Sequence, residues 1–339
     1  MRRFGKAGWL CGLTWLATSM SGCVLISGNL NPFSSTPQPL QEQEVGGKGD
    51  AKILLLDISN VITDQEEQGP FGVSVRPGMT SRVREELEKA ADDDRVKGVL
   101  LRINSPGGTV TASDIIYHEL MRFKEEHRLP VVAHMMDMGT SGAYYIALAA
   151  DQIVASPTTV TGSVGVIMAG VNFSGLMEKL GVKNQTFKAG KHKDIASPLR
   201  PLTAADEQLM QSVLDDMHQR FLGLVRERRS AMNADALQTI SDGRIVTAAQ
   251  ALQAGLVDQI GYADDAIRLL KQRAGIGDAR IILYRRPNEY AENIYSRTSV
   301  GPPQVNLVNF DLGSLARSPQ FMYMWLPGAE SAADLPGLH

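Results

Sequence analysis

Apolar positions along the chain change their spacing repeatedly, and each change marks an element. Ala51–Ile58 holds the unbroken run Ile53-Leu54-Leu55-Leu56, which predicts a strand buried on both faces. Val83, Leu87 and Ala90/Ala91 then recur at helical spacing until Asp92-Asp93-Asp94 ends the pattern. Val96–Ile103 is a second apolar run. A helix opens at Thr111, where Thr111 and Asp114 have capping-box spacing, and it turns Ile116, Leu120 and Phe123 inward. Pro130–Met135 predicts a third strand, Ala143–Ala150 a helix of small residues, and Gln152–Ser156 a fourth strand. Strands separated by helix-length crossovers predict a mostly parallel α/β sheet with right-handed connections.

Further on, Ser163–Met168 is followed by a short helix at Leu176–Leu180 and a strand-like segment at Asn184–Gly190. Thr203-Ala204-Ala205-Asp206 is a capping box opening a long helix, with Met210, Leu214, Met217, Phe221 and Val225 on one face. Asp242-Gly243-Arg244 reads as a turn before a last helix and strand reaching Asp258. From Arg285 onward Pro, Asn, Gly and Ser dominate, and residues 286–339 read as a weakly structured tail.

The other end has a different character. Arg2, Arg3 and Lys6 form a basic head, and Ala7–Met20 is an apolar run shorter than the ~20 residues a membrane span needs. Ser21-Gly22-Cys23 follows. Head, run and small residues read as an export signal over residues 1–22. Its end resembles the lipobox of bacterial lipoproteins, in which the cysteine, here Cys23, is lipidated. Extending the run through Val24, Leu25 and Ile26 gives instead an uncleaved signal-anchor, and plain secretion is a third reading. All three place the rest of the chain on the extracytoplasmic side. Residues 23–50 keep no strand or helix period and read as a flexible tether, leaving 51–285 as the folded domain.

Charge and cysteine usage narrow the chemistry. Lys+Arg 34 against Asp+Glu 37 leaves a net charge of −3, so no basic field points to nucleic acid. The only cysteines are Cys11 and Cys23, which excludes disulfides, thiolate metal sites and a Cys nucleophile from the body. No His-Glu-x-x-His or carboxylate-rich loop occurs, and neither a metal nor a cofactor is expected.

Two glycine-bearing turns fall where strands of an open parallel sheet end and functional groups gather. Ser105-Pro106-Gly107-Gly108 can present bare backbone N–H groups, and Gly139-Thr140-Ser141-Gly142 lifts a hydroxyl at a helix start. A nucleophile at Ser141 with oxyanion donors from Gly108 and Gly142 is a coherent acyl-transfer site. A glycine turn whose serine merely caps a helix fits the same residues. Of the six histidines, His118, His127 and His218 fall on solvated helix faces or ends, His339 is terminal, and His134 fits a core position. His192 is the loop candidate for a base. It shares Lys188-Ala189-Gly190-Lys191-His192-Lys193-Asp194 with three lysines, any of which serves if burial keeps it neutral.

Taken in order, Ser105-Pro106-Gly107-Gly108, Met138-Gly139-Thr140-Ser141-Gly142-Ala143-Tyr144-Tyr145, Thr161-Gly162-Ser163-Val164-Gly165-Val166, Gly190-Lys191-His192-Lys193-Asp194 and Gly243-Arg244 resemble the signal peptide peptidase A family of Ser/Lys proteases. The likeness runs from about Ile53 to Asp265 and is nearest to the short, single-copy form. It implies a ClpP/crotonase-like fold, a mostly parallel sheet with surrounding helices and a helical C-terminal extension. It also implies Ser141 as nucleophile, Lys193 as general base, Ser163 as the hydroxyl orienting that lysine, and Gly108 and Gly142 as oxyanion donors. Asp194 points away from Lys193 if the segment is extended. Thr140 and Ala143 depart from the residues relatives often carry. The family assignment further implies a homo-oligomeric ring, peptide substrates such as signal peptides and other unfolded or apolar segments, and membrane attachment through the N-terminus. Two competing readings are an acyl-CoA hydratase or isomerase, which needs an acidic base and a nucleotide pocket, and a catalytically silent scaffold, which a serine-directed probe would leave unlabelled.

Overall fold

Strands covered on both faces have no polar face to show, and this governs the centre of the fold. In a computed structural model, residues 39–68, 74–287, 293–296 and 320–325 are described. All belong to one compact unit, Gln38–His339. The signal segment, Cys23, tether residues up to 38 and most of the tail lie outside the described residues.

In chain order the strands are β1 (Gln41–Gly47), β2 (Ala51–Ser59), β3 (Glu67–Gln68), β4 (Ser74–Arg76), β5 (Val96–Ser105), β6 (Gly107–Thr109), β7 (Val131–Thr140), β8 (Gln152–Ala155), β9 (Val160–Gly162), β10 (Ile245–Thr247), β11 (Gln259–Ile260), β12 (Ala279–Arg285) and β13 (Met322–Met324). The helices are α1 (Met79–Ala91), α2 (Val110–His127), α3 (Gly142–Ala147), α4 (Ser174–Lys179), α5 (Ala204–Arg228), α6 (Ala234–Ile240), α7 (Ala248–Ala254) and α8 (Ala263–Ala274). A nine-stranded sheet runs β1-β12-β2-β5-β7-β8-β11, with β9 on β7 and β10 on β9. From β12 to β11 the neighbours are parallel, as is β9 on β7, whereas β1 and β10 are antiparallel. This is the predicted α/β architecture.

The alternation within β2 shows why its run is apolar throughout. Leu54, Leu56 and Ile58 join the core beneath α1, α2 and α3, while Ile53 and Leu55 join the opposite core with Ala266 and Leu270 of α8. All five are essentially inaccessible, so truncating one to alanine costs about 2–5 kcal/mol. The register then brings two strand ends level, because Ser105 of β5 pairs with Gly139 of β7. Both glycine-bearing turns therefore leave the sheet side by side.

Four expectations need correction. The tether does not extend to Asp50: Gln41–Gly47 is an edge strand on β12, with Glu42 pairing Tyr284. An edge strand needs few buried residues, and here only Val45 is buried, so no alternation marked it. Helix α2 is capped by Thr109 rather than Thr111, and Asp114 instead accepts from the Tyr145 hydroxyl and Arg220. Asn184–Gly190 forms no strand and lies exposed. Within the tail, Met322–Met324 is ordered as β13, antiparallel to β6, with Tyr323 fully buried. The Thr203–Asp206 capping box is present as expected and opens α5.

Candidate active site

Ser141 is the single residue between the last of β7, Thr140, and the first of α3, Gly142. Its backbone has φ 53° and ψ −116°, a conformation that non-glycine residues adopt only where surroundings enforce it. The enforcement is visible: its N–H donates to Gly162 O (2.8 Å), and its carbonyl accepts the N–H of Tyr145 (2.9 Å). Thr161 locks the same corner through Oγ1 to Gly139 O (2.7 Å). Ser141 is 1% exposed, and its Oγ has no hydrogen-bond partner among the described residues. A buried hydroxyl without a partner loses its hydration for nothing, unless another molecule or copy supplies the bond.

Around it the backbone is packed too closely for side chains. A Cβ on Gly142 would strike Ser113 Oγ and lie 3.2 Å from Gly108 N, so the two candidate oxyanion donors adjoin. Tyr323 O is 3.0 Å from the same point, which puts a peptide carbonyl in the cradle the two glycines share. That carbonyl belongs to β13, whose Tyr323 faces Gly108 in the register. On its other side β13 meets Ile167, with Met322 N–H to Ile167 O and Ile167 N–H to Met322 O both 2.9 Å. The Tyr323 ring stacks on Tyr145 (5.3 Å between centroids), packs on Phe221 (4.8 Å) and donates through its hydroxyl to Met217 O (2.8 Å). An extended strand with an aromatic side chain thus lies beside Ser141. Sequence reasoning placed β13 within the weakly structured tail; its signal is the unbroken run of large apolar residues Phe321-Met322-Tyr323-Met324-Trp325.

Ser163 directly follows β9, has φ 54°, and donates its N–H to Arg244 O (2.7 Å). Ser141, Gly108, Gly142 and Ser163 are therefore gathered at one corner. Lys193 is not. It stands in a run of turns, its side chain is exposed, and it makes no bond to Ser141. The segment is turned rather than extended, so alternation does not govern Asp194. That carboxylate is occupied instead, by Arg200 (2.9 Å) and then Lys188 (2.5 Å), which hold it well below the usual carboxylate range. Arg200 also binds the buried Asp206 (2.7 Å), whose other oxygen meets His192 Nδ1 (3.1 Å). His192, the alternative base, is thus tied to Asp206 and does not touch Ser141. His134 lies buried on β7 against Ser156 Oγ (3.1 Å), and burial pushes its pKa down to about 4, with the charge of Arg102 adding to the effect. Among the described residues no cluster of His, Cys, Asp or Glu is placed to hold a metal.

A mostly parallel sheet whose strand ends carry a buried serine beside a glycine cradle is an α/β arrangement suited to acyl transfer. Residues 123–277 match peptidase family S49, and residues 63–160 match the Clp protease family. The chain is 34% identical over 294 residues to "Putative signal peptide peptidase SppA" of Enterococcus faecium, covering 84% of each protein. It is 32% identical over 210 residues to "Serine protease SPPA, chloroplastic" of Arabidopsis thaliana, covering 62% of this chain and 31% of that one. A ClpP1 mutant from Listeria monocytogenes superposes with a TM-score of 0.40 at 16% identity, covering 63% of this chain and 94% of that one. The chain belongs to peptidase family S49, the signal peptide peptidase A family.

Proposed function

We propose that this serine peptidase is a membrane-tethered Ser/Lys endopeptidase that degrades signal peptides and other unfolded or apolar segments on the extracytoplasmic side. Ser141 is the nucleophile, Lys193 the general base, Gly108 and Gly142 the oxyanion donors, and Ser163 the hydroxyl that orients Lys193. The observation that carries the reading is β13, an extended segment held beside Ser141 with its carbonyl in the glycine cradle. A substrate strand taking that place would present its own scissile carbonyl to the same donors, in the manner of strand addition.

Hydrolysis then proceeds through an acyl-serine. Neutral Lys193 Nζ accepts the Ser141 proton as Oγ bonds to the scissile carbon, and the oxygen of that carbonyl takes negative charge toward the Gly108 and Gly142 N–H groups. Collapse breaks the C–N bond, and the Lys193 ammonium returns its proton to the leaving amine. Water then attacks the acyl-serine and gives a proton to Lys193. Collapse breaks the C–Oγ bond as the Lys193 ammonium returns that proton to Oγ, and the carboxylic acid product leaves with Ser141 and neutral Lys193 restored.

Lys193 reaches Ser141 once copies of the chain assemble and cover its segment. The support is the apolar surface that segment exposes, including Leu176, Leu180, Val182 and Phe187. Cys23 carries the lipid anchor, which mass spectrometry of the membrane-extracted protein reads directly, and several acyl chains give the stable attachment one chain does not.

The test is hydrolysis of a signal peptide and of unfolded casein by the purified full-length protein. Residues acting as a unit are non-additive, so Ser141→Ala, Lys193→Ala and the double variant should each lose about 10³-fold or more, to a similar level, with unchanged melting. Activity surviving in Lys193→Ala and lost in His192→Ala would move the base to His192. Casein cleavage without signal-peptide cleavage would remove the substrate assignment.

A further inference from the structure

An oxyanion donor works only if its N–H is aimed before the reaction begins, and β6 is too short to aim itself. What borders it is the loop after β2. Asn60 turns there with φ 65°, its N–H bonded to Asn104 O (3.1 Å), and two residues on the buried Ile62 lies parallel to Gly108 as an isolated bridge. Ile62 N–H donates to Gly107 O and Ile62 O accepts Thr109 N–H, both at 2.9 Å. Backbone groups of successive strand residues point to opposite edges, so these two bonds take the far edge of β6. They leave the Gly108 N–H on the edge that faces Tyr323 and Gly142. The approach is tight, since a Cβ on Gly108 would collide with the Ile62 carbonyl.

The loop is in turn pinned from beneath by the start of α1. That helix has Gly78 at its N-cap and no side-chain cap, and its first N–H, on Met79, is taken by Thr63 O (3.1 Å). Buried Thr80 donates through Oγ1 to the Asp64 carboxylate. Gly78 lies so close that a Cβ there would overlap the Asp64 carbonyl. The strand edge, Ile62, Asp64 and α1 thus form one continuous contact.

We infer that Gly78 and Thr80 are positioning residues, which hold the Ile62 loop against β6 and so aim the Gly108 N–H at the developing oxyanion. The inference rests on the reading of Gly108 as an oxyanion donor to Ser141. Deleting such a donor outright costs about 10²–10³-fold in kcat, and misaiming it costs less.

The experiment compares full-length wild type with Gly78→Ala, Thr80→Val and Thr80→Ser. It measures kcat and KM on a fluorogenic peptide, the rate of Ser141 labelling by a fluorophosphonate, and the fraction of labelled sites. Gly78→Ala and Thr80→Val should each lose about tenfold or more in kcat and in labelling rate per folded site, with KM within about twofold. Thr80→Ser keeps the hydroxyl and should stay within about twofold of wild type. Losses that track only the fraction of folded sites, or appear only in KM, would overturn the clamp. If wild type labels at Ser141 and Thr80→Val labels equally fast, the clamp falls while the site reading stands. If wild type does not label at Ser141, the site reading falls and takes the clamp with it.

Discussion

His134 lies on β7 and Ser141 directly after it, and their surroundings give them opposite chemistry. His134 is enclosed by the sheet with Arg102 nearby, so it stays neutral in the fold, with its pKa held down at about 4. An unfolded histidine titrates near ~6.5, so between that value and about 4 the unfolded chain binds a proton the folded chain refuses. This contribution is complete above pH ~6.5, declines as pH falls, and levels off below about 4, amounting at most to about 3 kcal/mol. Asp194 and Asp206, held below the usual carboxylate range by Arg200, lose their contributions only at lower pH. His134→Gln should therefore flatten the decline in urea-unfolding stability from pH 6.5 to 4, and an unchanged slope would contradict the buried-neutral assignment. The position of His134 in an apolar strand made this much legible in the sequence. The identity of its partner, Ser156, follows only from the loop after β8.

At the scale of elements, the ionic contacts of β1 explain how a polar segment becomes a strand. Lys52, nearly inaccessible, places its ammonium between Glu42 of β1 (2.6 Å) and Asp93 after α1 (2.7 Å). One cation inside the sheet therefore ties the edge strand to a helix end. Both carboxylates are partly exposed, which moderates the cost of losing their partner. Lys52→Met should destabilise the protein by about 1–3 kcal/mol and open Gln41–Gly47 to limited proteolysis, whereas the wild-type segment resists. Equal cleavage in both proteins would restore the tether reading for these residues. The long helix α5 was legible from its capping box and its apolar face. Its N-terminal half still carries exposed Leu209 and Val213, which a helical period alone does not reveal as unpartnered.

For the whole molecule, the exposed apolar residues bear on how the site is completed. Val171, Phe173, Leu176, Leu180, Val182 and Phe187, in the stretch of chain that precedes the Lys193 turns, are exposed, and Phe187 is 97% exposed. Under the proposed assembly these are the residues a second copy would cover. In the proposed mechanism a second copy would supply both the cover and the low-dielectric setting a neutral Lys193 needs. Phe187→Glu or Leu180→Glu should shift the protein toward monomer in sedimentation and reduce peptide hydrolysis at least tenfold, with the monomer melting normally. A fully active monomer would remove assembly from the mechanism.

The sequence by itself determined the alternation of strands and helices, the exposure class of the central strands, and the two glycine turns that flank Ser141. Each of these depends on side-chain periodicity or on a conformation that only nearby residues dictate. Tertiary structure alone decided what crosses between distant segments. It set Ser105 level with Gly139, laid Ile62 along Gly108, and folded Tyr323 from the far end of the chain into the aromatic pocket of Tyr145 and Phe221. It also left Lys193 exposed while the hydroxyl it was expected to meet lies buried without a partner among the described residues. Local patterns record which face a residue buries. Contacts between residues far apart along the chain leave no periodicity behind, so their geometry exists only once the sheet has formed.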